Sequence, residues 1–84
     1  MPMPLNESQR AFLGNPEQVS VFARWVLASG NQYARILRTQ LGLPLTPSPT
    51  QAHIAKLTAH LSGPEDQMNT SCVVRLINIF SSLR

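Results

Sequence analysis

Residues 15–41 read NPEQVSVFARWVLASGNQYARILRTQL. Apolar side chains recur through this stretch at steps of three and four, which is the period of one face of an α-helix. The positions that form this face are Val19, Phe22, Ala23, Val26, Gly30, Tyr33, Ala34, Leu37 and Leu41. We therefore predict a long or kinked helix over 16–42. We favour a continuous helix in which Gly30 lets a neighbour approach closely, and a break at Gly30 with Ser29 as a new cap is the alternative.

Two short motifs predict where helices begin. Asn15-Pro16-Glu17-Gln18 and Ser48-Pro49-Thr50-Gln51 each combine an N-cap residue, a proline at the first helical position and a glutamine at the third. The cap side chain can accept from the backbone amide at the third position, and proline loses nothing there because its missing N–H would be unpaired. We therefore predict helix starts at Pro16 and Pro49.

The remaining segments complete an all-α fold. The sequence predicts a short N-terminal helix over 5–14, capped by Asn6 and ended by Gly14, a proline-rich linker over 43–48, a third helix over 49–62 and a C-terminal helix over 64–84. The last helix starts at Pro64 or is started again by Asn69-Thr70-Ser71. Its apolar residues cover a wide face, so we expect it to be the most buried helix. They are Cys72, Val73, Val74, Leu76, Ile77, Ile79, Phe80 and Leu83.

No segment carries a strand signal. We predict a single helical domain over 1–84, folded as a compact all-α bundle of four to five helices.

Composition limits the functional classes. The chain has 84 residues, 13% charged residues and a net charge of +3. The charged share is about half the usual value of roughly 25%. This fits a subunit that covers part of its surface with a partner or a second copy, and it equally fits a monomer covered by neutral polar residues. The basic excess is too small to imply nucleic acid by itself.

The sequence also predicts a location. Cys72 is the only cysteine, so an internal disulfide is impossible and a reducing compartment is expected. The first residues have no basic and apolar signal pattern, and no apolar run approaches the roughly 20 residues that span a bilayer. We expect a cytoplasmic protein without a membrane segment.

Catalytic chemistry is not indicated. The chain has four acidic residues, Glu7, Glu17, Glu65 and Asp66, and each falls in a predicted first helical turn. Carboxylates are stabilised there by unpaired amides and the helix dipole, so none is left over for acid–base work. His53 and His60 lie seven residues apart, too far along one helix to share a metal ion, and we expect them on a solvated face. Cys72 is expected to be a buried structural cysteine. We predict no enzyme activity, no cofactor and no metal.

The arginines point to binding. On a continuous helix, Arg24, Arg35 and Arg38 share one stripe opposite the apolar face. Val21, Trp25 and Ile36 widen the apolar face at its flank, and they meet either other helices of this chain or another chain. Tryptophan and arginine dominate binding hot spots. We therefore predict partner-binding residues at Arg24, Trp25, Arg35, Arg38, Val21 and Ile36.

Two functional hypotheses follow. The first is a small non-enzymatic protein–protein interaction module, an adaptor, inhibitor or assembly subunit, whose partner has an acidic surface. Self-association is compatible with it. The second is a helix-turn-helix-like DNA-binding regulator with its turn at Ser62-Gly63-Pro64. In that case the last helix offers only Arg75, Asn78 and Arg84 to DNA, fewer groups than a groove-reading helix usually has.

Overall fold

The computed structural model describes residues 3–83, and within them it forms an all-α compact fold. The helices are α1 (Glu7–Leu13), α2 (Pro16–Ala28), α3 (Gln32–Leu41), α4 (Gln51–Leu61) and α5 (Thr70–Ser82), and a 3-10 turn lies at Glu65–Gln67. No strand occurs in this range. The predicted fold class is confirmed. Arg84 lies outside the described residues.

Side-chain caps start every α-helix. Asn6 accepts from the Gln9 amide at 2.8 Å while the Gln9 side chain accepts from the Asn6 amide at 2.9 Å, a capping box that the sequence reading missed. Asn15 caps α2, with Pro16 at its first position as predicted. The predicted cap at Ser48 is wrong, because Thr50 has the extended backbone of a cap and accepts from the His53 amide at 3.2 Å. Pro49 therefore precedes the helix instead of opening it.

The favoured continuous helix over 16–42 is wrong, because the helix breaks at 29–31. The alternative of a break is correct, but its proposed new cap at Ser29 is wrong, since Ser29 ends α2 and Asn31 caps α3. Asn31 caps α3 by accepting from the Tyr33 amide at 2.8 Å, and the Ser29 hydroxyl accepts from the Asn31 amide at 3.1 Å. These side chains offer the backbone a turn in place of the helix ladder. Gly30 is exposed, and a Cβ there would meet nothing within 4 Å, so it does not serve close packing.

The carbonyl groups at the end of α2 are bound by later parts of the chain. Nη1 of Arg38 donates to the main-chain oxygens of Val26 and Ser29, and the Thr46 amide donates to the Leu27 oxygen at 2.9 Å. These carbonyls have no partner within their own helix. The corner between α2 and α3 is thus held by α3 itself and by the linker that follows it.

The core is built around α2, which packs mainly against α4 and also contacts α1, α3 and α5, while α3 packs mainly against α5. The fully buried large side chains come from α2, α3, α4 and α5. They are Phe22, Val26, Leu27, Leu37, Leu57, Leu61, Val73 and Leu76.

Helix α5 buries more of its residues than any other described helix, as predicted. It starts at Thr70 under an Asn69 cap and not at Pro64. Leu83 follows the end of the helix and is 66% exposed, so its predicted place on the buried face is wrong. None of the described helices has the length and apolar character needed to cross a bilayer.

Candidate protein-interaction surface

Four of the predicted partner-binding residues are exposed. Val21 on α2 is 54% exposed and Ile36 on α3 is 44% exposed. Arg24 and Arg35 are also exposed, one on each of these helices. Their exposure makes them available for contact, and their role in binding stays a prediction.

Arg38 does not lie on an exposed stripe, so that part of the prediction is wrong. Its side chain is 4% exposed and bonded to the carbonyl groups that end α2. Burial lowers the pKa of Arg38, and the nearby positive charge of Arg35 lowers it further. The guanidinium is held by backbone oxygens at the negative end of a helix dipole, which is a structural role. Because the helix is also broken at 29–31, the helical geometry that aligned the arginines does not apply.

Trp25 is half-buried at the edge of an aromatic cluster. Its ring centroid lies 6.1 Å from that of Phe22, in a stacked arrangement, and 5.4 Å from that of Phe80. Phe12 completes the cluster, with its centroid 5.4 Å from Phe22 and 6.1 Å from Phe80. One flank of α2 therefore meets α5 of the same chain at Trp25. The residue is an intramolecular contact first, and only its outer edge is available to a partner.

The exposed part of α2 beside this cluster is the strongest candidate surface. We call Val21, Arg24 and the outer edge of Trp25 the α2 outer face. Val21 is one helical turn before both other residues, so the three share one side of α2.

A groove lies between α1, α2 and α4 and has a volume of about 690 Å³. Its buried lining residues include Leu13, Val19, Ile54 and Leu61, and its exposed ones include Ala55 and Ala59. Arg10 and Glu65 also line it and form an ion pair at 2.9 Å. The groove depends on how distant segments meet, so no sequence pattern indicates it. Its charged residues are already paired with each other, and it offers no acid–base pair.

The expectation that His53 and His60 lie on a solvated face is wrong. His53 and His60 are half-buried, and Nδ1 of His53 and Nε2 of His60 are enclosed without a hydrogen-bond partner. Burial lowers the pKa of His60. Cys72 is buried as predicted, and burial raises the pKa of its thiol. Within residues 3–83, no three His, Cys, Asp or Glu side chains are grouped closely enough to hold a metal ion.

The structure gives little support to a DNA-reading helix. Most of α5 is buried, and α4 packs mainly against α2. Arg75 lies over the Tyr33 ring, 5.2 Å from its centroid, and its Nη1 donates to the Ser71 oxygen at 3.1 Å. Its guanidinium is thus already engaged within the chain. Asn78 is exposed, but a single side chain is too few to read a base sequence.

Comparison of the chain with protein-family models, with curated proteins and with solved structures finds no match.

Proposed function

We propose that this chain is a small non-enzymatic protein-interaction module, an adaptor, inhibitor or assembly subunit, that binds an acidic surface of another protein through the α2 outer face. The observation that carries the proposal is the exposure of Val21, 54%, directly beside Arg24 and Trp25. Contact with a partner would remove this apolar surface from water, which is favourable.

Charge complementarity supports an acidic partner. The only ion pair within residues 3–83 joins Arg10 and Glu65, so Arg24 has no carboxylate partner in this range. Glu7 and Glu17 lie in the first turns of α1 and α2, where the helix dipole stabilises them. An exposed arginine beside an apolar side chain suits a partner that offers a carboxylate next to an apolar group.

We propose that Arg35 and Ile36 form a separate contact with the partner on α3. Arg38 is buried and takes no part in partner binding. The proposal keeps the cytoplasm as the location, because an unpaired Cys72 suits a reducing compartment. Self-association through the same face is compatible with it, and sedimentation of the purified protein measures this directly.

The test is affinity capture from the source cells with and without nuclease, followed by binding of the purified partner. Trp25 is the only tryptophan, so its fluorescence reports binding at this face. Val21→Ser and Arg24→Glu should each weaken binding, and Arg24→Glu should act mainly on the association rate and its salt dependence. Ala28→Ser and Lys56→Glu, at other exposed positions, are the matched controls.

Two results would overturn the proposal. One is a purified partner that binds Val21→Ser and Arg24→Glu as tightly as the unchanged protein. The other is capture that disappears after nuclease treatment, which would instead support nucleic-acid binding.

A further inference from the structure

Helix α4 is attached to the body differently from the other helices. It packs mainly against α2 through Ile54, Leu57 and Leu61, whereas α3 pairs with α5 and α1 with α2. Segments without α-helix lie on both sides of α4, over 42–50 and 62–69, and both contain prolines. The contacts between α3 and α5 and between α1 and α2 do not involve α4. Displacement of α4 would therefore break its packing on α2 and leave the α3–α5 and α1–α2 contacts in place.

Two histidines line one side of this helix. His53 and His60 are half-buried, and each has one ring nitrogen enclosed with no hydrogen-bond partner. A neutral imidazole tolerates this, because one of its nitrogens is only an acceptor. A protonated imidazole places an N–H donor and a positive charge there, and an unpaired buried charge is unfavourable.

The surroundings of the histidines do not offset that charge. Besides the two histidines, the charged or titratable side chains on α4 and on the elements around it are Glu7, Arg10, Glu17, Arg24, Tyr33, Arg35, Arg38, Lys56, Glu65, Asp66, Cys72 and Arg75. Segment 43–50 carries none. None of the carboxylates forms an ion pair with either histidine in the described range, where Glu65 is paired with Arg10.

Two electrostatic effects within α4 act on protonation of the histidines in opposite directions. Lys56 lies one turn from each histidine, and like charges at that spacing repel. His60 is in the last turn of α4, where the helix dipole favours a positive charge. Burial lowers the pKa of His60.

We propose that protonation of His60 weakens the docking of α4 on α2 and so favours a state in which the apolar side chains of Ile54, Leu57 and Leu61 are exposed. His60 binds a proton more readily when α4 is displaced. Docking of α4 is therefore strongest above the ordinary histidine pKa of about 6.5, and it is lost progressively as the pH falls below that value. The proposal is independent of the α2 outer face, because α4 is not part of that face.

The experiment is an NMR titration of the full chain from pH 7.5 to 5.0, with amide hydrogen exchange measured at each pH and corrected for its intrinsic rate. Amides of α4 should lose about tenfold or more of their protection over this range, in step with the titration of His60. Amides of α5 should keep their protection, which distinguishes release of α4 from general unfolding.

Matched variants assign the effect. His60→Gln stays neutral and should remove most of the pH dependence, whereas His53→Gln and Lys56→Gln should keep it. If His60→Gln fails to fold, agreement between the exchange of α4 and the His60 titration in the unchanged protein still decides the question. Constant protection of α4 across the pH range, equal loss in α4 and α5, or full pH dependence in a folded His60→Gln protein would each overturn the proposal.

Discussion

Nη1 of Arg38 donates a hydrogen bond of 2.7 Å to the main-chain oxygen of Ser29, and the same nitrogen donates to the oxygen of Val26. One buried cation thus binds two carbonyl groups at the corner where α2 ends. No basic residue lies in the last turn of α2, so Arg38 supplies from α3 the positive charge that favours a helix C-terminus.

Replacing Arg38 by methionine should destabilise the protein by about 2–3 kcal/mol. Methionine keeps an apolar chain of similar length but leaves both carbonyl groups without this donor, and hydrogen bonds from charged groups contribute about 1.5–3 kcal/mol each. Removal of the desolvated charge offsets part of that loss. Arg35→Met, exposed on the same helix, should change stability by no more than about 0.5 kcal/mol. Urea unfolding followed by circular dichroism measures both, and equal losses would contradict the role given to Arg38.

The burial of Arg38 could not be predicted from the sequence. The apolar period from Val19 to Leu41 keeps its phase across Ser29-Gly30-Asn31, so periodicity alone cannot distinguish one helix from two. On a continuous helix Arg38 would face solvent. The break creates a helix end whose carbonyl groups need donors, and only the folded corner shows that Arg38 supplies them.

Other features were local enough to predict. The cap at Asn15 and the wide apolar face of α5 depend on neighbouring residues, and both are present. The flank positions of Val21 and Ile36 left burial against this chain and exposure both open, and both side chains are exposed. The half-burial of Trp25 could not be predicted, because it requires Phe80 from α5 to reach the same side of α2.

The two glycines that border α3 should respond in opposite ways to alanine. Gly42 has a φ of +67°, a left-handed conformation that costs other residues about 1–2 kcal/mol. Gly42→Ala should therefore lower stability by roughly that amount. Gly30 has open space around it and no positive φ, so Gly30→Ala should be neutral or stabilise by up to about 1 kcal/mol by restricting the unfolded chain. Thermal unfolding compares the two, and a larger loss at Gly30 would contradict the geometry of the break.

Alanine substitutions at core and surface positions of α5 should differ clearly in their effect on the free energy of unfolding. Leu76 is fully buried, and Leu76→Ala should cost about 2–5 kcal/mol through lost burial and the cavity left behind. Arg75→Ala should cost about 1 kcal/mol or less, mainly through loss of its contact with the Tyr33 ring. Asn78→Ala, at an exposed site, should stay within about 0.5 kcal/mol. A denaturant titration in which all three variants lose equal stability would show that the faces of α5 are wrongly assigned.

The ion pair between Arg10 and Glu65 should make stability depend on pH in the acid range. The hydrogen bond from Arg10 is the largest cause that lowers the pKa of Glu65, and a hydrogen bond from the Leu5 amide adds to it. A carboxyl group with a lower pKa in the folded state stabilises the protein above its unfolded pKa, about 4.3, and loses that contribution as the pH falls through the folded value. Glu65→Gln should therefore unfold at lower urea than the unchanged protein at pH 7, and the difference should shrink as the pH falls below about 4. Asp66→Asn is the control, because that neighbouring carboxylate forms no ion pair within residues 3–83. A Glu65→Gln difference that stays constant from pH 7 to pH 3 would show that the pair contributes no linked stability.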